Sequence, residues 1–122
     1  MLRQGPIPRF VHGMIEYVAA IALFAAPFVL SFEAGAAVAT SLIAGVVVLV
    51  VAACTDGPTS LVNQIPLAVH VTLDYLLALV LIAIPFVAGF SDETAPTAFF
   101  IGLGVLHLLV TIGTRFRPKA PR

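Results

Sequence analysis

The chain contains no tryptophan, one cysteine and little charge, with only 10% of its 122 residues being Asp, Glu, Lys or Arg. The single cysteine, Cys54, excludes an internal disulfide framework and any multi-cysteine zinc or iron–sulfur site. The shortage of charge accompanies 61% hydrophobic residues and a mean hydropathy of +1.13. Soluble domains are about 45–50% apolar and about 25% charged, so this chain has too little polar surface for water. A disordered chain, a nucleic-acid binder and an ordinary cytosolic enzyme are all excluded, which leaves an integral membrane protein. There is also no Walker loop, dinucleotide fingerprint, Ser/His/Asp order, HExxH or CxxC. We therefore expect no catalytic residues, no enzymatic activity, no metal site and no nucleic-acid partner.

A further absence sets the topology. No Lys or Arg occurs between positions 10 and 114; the six basic residues are Arg3, Arg9, Arg115, Arg117, Lys119 and Arg122. Glu16, Glu33, Asp56, Asp74, Asp92 and Glu93 all lie between them. Basic residues beside spans stay cytoplasmic, so both termini are expected inside and the number of spans even. A crossing helix needs about 20 mainly apolar residues. Four stretches qualify: Val11–Phe32, Gly35–Cys54, Leu67–Phe90 and Ala95–Gly113. Turn-forming residues separate them, and none shows the period-two alternation of a transmembrane strand. The predicted fold is all-α, a single membrane domain of four transmembrane helices over residues 1–122.

The chain repeats itself. Pro8–Phe32 set against Pro66–Phe90 without a gap shows 11 identities in 25 positions, including Val11/Val69, His12/His70, Tyr17/Tyr75, Leu23/Leu81 and Pro27/Pro85. Glu16 and Asp74 align as equivalent acids. With one residue inserted, Gly45/Gly104 and Thr55/Thr114 also align. The hairpins at residues 8–55 and 66–114 are thus two copies of one unit, and parallel repeats are related by a pseudo-twofold along the membrane normal. The first span could be read as a secretory signal, but a cleaved signal has no reason to match an internal helix.

Each unit reads acid–aromatic (Glu16-Tyr17, Asp74-Tyr75), then an apolar stretch, then Ala26-Pro27-Phe28 or Ile84-Pro85-Phe86. This resembles the SPW repeat of small bacterial membrane proteins, a two-helix unit with a Ser-Pro-Trp motif in its first helix; phenylalanine stands here in place of the tryptophan. The resemblance implies a two-hairpin architecture and the bacterial cytoplasmic (inner) membrane. It implies no chemistry, because no activity is established for the family.

At 100° per residue, His12, Glu16, Leu23 and Pro27 share one face, as do His70, Asp74, Leu81 and Pro85. That face should point into the bundle, since an ionised acid facing lipid is costly. His12–Glu16 and His70–Asp74 are i,i+4 pairs within reach of one another. Tyr17 and Tyr75 point away from their own acids and suit those of the opposite hairpin. His107, without a counterpart in the first unit, can reach Asp74. The cluster reads either as a polar clasp between hairpins or as a ligand site on the pseudo-twofold. Pro27 and Pro85 are placed about five residues before the outer helix ends, as kinks or as gating hinges. The small residues Ala37, Ser41 and Gly45, and Ala98 and Gly102, serve either packing within hairpins or association between chains.

These features are consistent with a non-catalytic accessory or assembly subunit in the bilayer, self-associating or bound to a larger membrane complex, with no cofactor. Two alternatives remain at this point. One is a haem b electron carrier with His12, His70 or His107 as axial ligands. The other is a proton or small-ion pathway through Glu16, Asp74 and His107.

Overall fold

The computed structural model describes residues 5–116. Four of the six basic residues, Arg3, Arg117, Lys119 and Arg122, lie outside this range. The elements follow in the order β1 (Ile7–Pro8), α1 (Arg9–Val29), α2 (Gly35–Cys54), α3 (Leu67–Val87), α4 (Thr94–Gly113) and β2 (Thr114–Arg115). All four helices are long and apolar enough to cross a membrane. Each buries a minority of its residues inside the bundle. Large apolar side chains such as Ile21, Phe28, Ile43, Leu79, Phe86 and Leu109 cover the outside, as a lipid-facing surface requires.

The closest packing is within hairpins, α1 on α2 and α3 on α4. The inward face is the one predicted from the sequence: His12, Glu16, Leu23 and Pro27 on α1 are buried, as are His70, Asp74, Leu81 and Pro85 on α3. Two short parallel pairings join the hairpins at the end that carries residues 5 and 116. Ile7 pairs with Thr114 and Pro8 with Arg115, and Thr55 bridges Ile65. The second pairing is the repeat equivalent of the first, because residue 65 lies 58 positions after residue 7 and Thr55 aligns with Thr114. Each hairpin therefore begins against the end of the other, and the two run parallel.

At the far end the structure shortens two of the predicted spans. Helix α1 stops at Val29 and α3 at Val87, three residues before Phe32 and Phe90. The cause is a Schellman-type cap. Ser31 (φ 54°) and Gly89 (φ 80°) take the left-handed conformation. Phe32 N–H then donates to the Pro27 carbonyl and Phe90 N–H to that of Pro85, both at 2.9 Å. The prolines thus lie in the last helical turn, two residues from its end, instead of five. The turn folds Phe32 and Phe90 back into the bundle, where they pack with Phe99 and Phe100 at centroid distances of 5.5–6.3 Å. Proline removes the donor that the carbonyl four residues earlier would use. In the first unit Ser41 Oγ replaces it, donating to the Leu23 carbonyl at 2.6 Å. Ser41 is fully buried.

Ser31 bears a steric cost that Gly89 avoids, about 1–2 kcal/mol for a residue with a Cβ in this region. Ser31→Gly is expected to raise the unfolding free energy in detergent by about 1 kcal/mol. A denaturation midpoint that does not move would show that the Ser31 side chain compensates for the strain.

The far ends are also clasped. Glu93, from the loop before α4, accepts hydrogen bonds from Glu33 N–H (2.7 Å) and Ala34 N–H (2.9 Å). It satisfies free donors at the start of α2, which has no side-chain cap of its own.

Candidate functional site

The inward faces of α1 and α3 meet one to two turns from the terminus-bearing end, and there the charged groups converge. His12, Glu16, His70 and Asp74 are each at least 96% buried. His12 Nε2 lies 3.1 Å from Asp74 Oδ2 and 3.2 Å from Glu16 Oε1. His70 Nε2 lies 3.0 Å from both Glu16 Oε1 and Asp74 Oδ2. Nitrogen and oxygen thus alternate around a closed ring of four atoms. The i,i+4 neighbours are close, as their spacing predicts, but the hydrogen bonds cross between hairpins, His12 to Asp74 and His70 to Glu16.

The other ring nitrogens are held by threonines, each at the end of the opposite hairpin's second helix. Thr114 Oγ1 donates to the Val110 carbonyl at 2.6 Å and lies 2.8 Å from His12 Nδ1. Thr55 Oγ1 donates to the Val51 carbonyl at 2.6 Å and lies 2.5 Å from His70 Nδ1. Two oxygens 2.6 Å apart must share a hydrogen. Each hydroxyl proton is therefore committed to its carbonyl, and each hydroxyl oxygen accepts from Nδ1–H. Both imidazoles are consequently fixed with Nδ1 protonated and Nε2 aimed at the carboxylates. The recurrence of Thr55 and Thr114 in the repeat was the sequence signal for this role.

His107 approaches from α4, with Nε2 3.4 Å from Asp74 Oδ1. The contact predicted from sequence is present as proximity but falls short of a hydrogen bond. His107 Nε2 is the one buried side-chain nitrogen or oxygen without a hydrogen-bond partner among the described residues. The tyrosines do not serve the acids. Tyr17 donates to the Thr59 carbonyl at 2.8 Å, because its half-buried ring lies over the 55–65 loop. Tyr75, also half-buried, forms no hydrogen bond with Glu16 or Asp74.

Two openings reach the cluster. A small cleft at the terminus-bearing end, of about 30 Å³, is lined by Arg9, His12, Glu16, Asp56, His70 and Phe116 among others. Arg9 holds its rim by donating to the Asp56 carbonyl at 2.5 Å. A second opening is a lateral groove between α2 and α3, walled by Val47, Val51, Leu73, Leu77 and Val80 and reaching Glu16 and Asp74. Towards the far end the core is apolar, built from Leu23, Ala26, Ala37, Leu81 and the phenylalanine group. Chemically, the ring can share protons among its members or present four ligating atoms that all lie within 4.8 Å of one another.

No curated protein and no solved structure matches the chain. The family model described as the SPW repeat domain matches residues 10–114. That span takes in both hairpins, both proline-bearing helix ends and every member of the buried ring. This multi-pass, internally repeated membrane protein belongs to the SPW repeat family.

Proposed function

We propose that this chain is a non-catalytic accessory or assembly subunit of the bacterial inner membrane, with both termini cytoplasmic. It would act beside a second copy of itself or within a larger membrane complex. The observation that carries the reading is the lateral groove between α2 and α3, where the hairpins leave an apolar-walled cleft that can take a large apolar side chain of a partner helix. Ala98 and Gly102 on the outer face of α4 are likewise unused by the bundle, whereas Gly45 and Gly104 pack within their hairpins. Orientation follows from the basic residues at the termini and from Glu33, Asp92 and Glu93 at the opposite end.

The alternatives find less support. Of the three candidate axial ligands, His12 and His70 each have Nε2 facing two carboxylate oxygens, which leaves only the His107 Nε2 unpaired. A proton or ion route would have to cross the phenylalanine-packed far half of the bundle.

Native mass spectrometry of the chain extracted in mild detergent should show an assembly heavier than the 12.8 kDa chain. Val80→Trp in the groove should reduce that mass. A strictly monomeric protein, unchanged by Val80→Trp, would overturn the subunit reading. A reporter fused after Arg122 should be active only inside the cell; activity outside would reverse the orientation.

A further inference from the structure

We propose that His12 Nε2, Glu16 Oε1, His70 Nε2 and Asp74 Oδ2 bind one divalent transition-metal ion of the zinc class. This goes beyond the subunit reading and does not depend on it. It also departs from what the sequence alone led us to expect, which was no metal site.

Geometry is the first reason. The four contacts around the ring are 3.0–3.2 Å. Zinc bonds to histidine nitrogen and carboxylate oxygen are about 2.0–2.2 Å. Ligand atoms around such an ion are separated by about 3.3 Å in a tetrahedron and about 2.9 Å at the edges of a square. The four adjacent contacts fall between these values and all four atoms lie within 4.8 Å of one another, so an ion at the centre reaches all four once the atoms across the ring draw together.

Proton placement is the second reason. Thr55 and Thr114 require hydrogen on both Nδ1 atoms. Donation of the far ring nitrogen to a fixed acceptor is the arrangement that holds metal-binding histidines in position. The Nε2–carboxylate hydrogen bonds require a second proton on each ring; an ion that displaces those two protons meets Nε2 lone pairs already aimed at the centre of the ring. A divalent ion with two neutral imidazoles and two carboxylates also leaves no net charge in a low-dielectric site.

His107 supplies an independent observation. Its Nε2 is buried without a hydrogen-bond partner, 3.4 Å from Asp74 Oδ1. With Asp74 Oδ2 on the ion, Oδ1 is the free oxygen of that carboxylate. A small rotation lets His107 Nε2–H donate to it and orient the ligand.

The donor set selects the class of ion. Imidazoles suit zinc and its transition-metal neighbours, whereas magnesium and calcium prefer all-oxygen shells. Four protein ligands close the shell, as in structural sites. Here they would tie α1 to α3, and hence hairpin to hairpin. The cleft at the terminus-bearing end provides access.

The test uses the full chain without a histidine tag, purified in detergent and stripped with a chelator. Titration with Co²⁺ should give visible d–d bands that saturate at one equivalent and are displaced by Zn²⁺. Glu16→Gln and His70→Gln should each weaken Co²⁺ binding by about 100-fold or more, and His107→Phe by about 10–100-fold. If a variant does not fold, X-ray absorption of the unmutated Zn²⁺-loaded chain decides instead, with two imidazole nitrogens and two oxygens at about 2.0–2.2 Å expected. A folded wild-type chain that takes up no Co²⁺ would overturn the proposal. So would Co²⁺ uptake unchanged by Glu16→Gln and His70→Gln, or an absorption spectrum with no imidazole scattering. The ring would then be held by its own protons alone.

Discussion

Asp74→Leu is expected to lower the unfolding free energy in detergent by about 3–5 kcal/mol, the range for breaking a buried charge pair by removing one partner. Asp74 faces three imidazoles, with His12 and His70 at 3.1 and 3.0 Å and His107 at 3.4 Å. Its loss leaves Glu16 as the only acid for two buried rings whose Nδ1 atoms are already committed. The double variant Asp74→Leu/His70→Leu should recover part of the loss, because it removes one acid and one base and leaves the His12–Glu16 contact of 3.2 Å. Pairing Asp74→Leu with His107→Leu should recover less, since the contact removed with His107 is the weakest of the three. Equilibrium denaturation of the four proteins in one detergent measures this ranking. An Asp74→Leu chain as stable as the wild type would mean that the ring adds nothing to the joining of the hairpins.

Gly104→Leu is expected to cost about 3 kcal/mol, at the upper end of the usual range for overpacking. A Cβ on Gly104 would lie 2.8 Å from Ile82 Cγ1, 3.1 Å from Leu81 Cβ and 3.0 Å from the Ala78 carbonyl oxygen. The last of these is helix backbone and cannot turn aside, so α4 would have to move off α3. The repeat equivalent behaves differently. The three atoms nearest to a Cβ on Gly45 all belong to the Phe24 ring, at 2.8–3.2 Å, and Phe24 is a half-buried side chain, which can shift more easily than helix backbone. Gly45→Ala should therefore be milder than Gly104→Ala, although the two positions align. Denaturation midpoints of the two alanine variants test the difference, and equal losses would show that Phe24 is as immobile as the α3 backbone.

Much of this molecule was legible in the sequence because its determinants are local. Twenty-residue apolar runs have to be helices in a bilayer, since only helices and closed barrels satisfy the backbone there. Helical periodicity placed His12, Glu16, Leu23 and Pro27 on one face, and the structure buries that face. Self-similarity identified two copies of one hairpin. Similar depth on the two helices of one hairpin placed His107 beside Asp74, and it lies 3.4 Å away, short of the expected hydrogen bond.

Only the tertiary structure could decide what depends on how closely the two copies meet. An i,i+4 spacing shows that His12 can reach Glu16; it does not show that His12 hydrogen-bonds to Asp74, 62 residues away. That partner follows from the seam between α1 and α3, which brings two equivalent pairs together so that each base lies between both acids. The same seam aligns Thr55 and Thr114 with the outer ring nitrogens. Tyr17 turns to the Thr59 carbonyl instead, because the 55–65 loop folds over α1. The helix ends at Val29 and Val87 also escaped the apolar count. Hydropathy does not register the left-handed turn at Ser31 and Gly89, and Phe32 and Phe90 beyond it are as apolar as the helix they follow. Local sequence determined the helices and their faces, while the packing of one hairpin against its copy determined which buried groups meet.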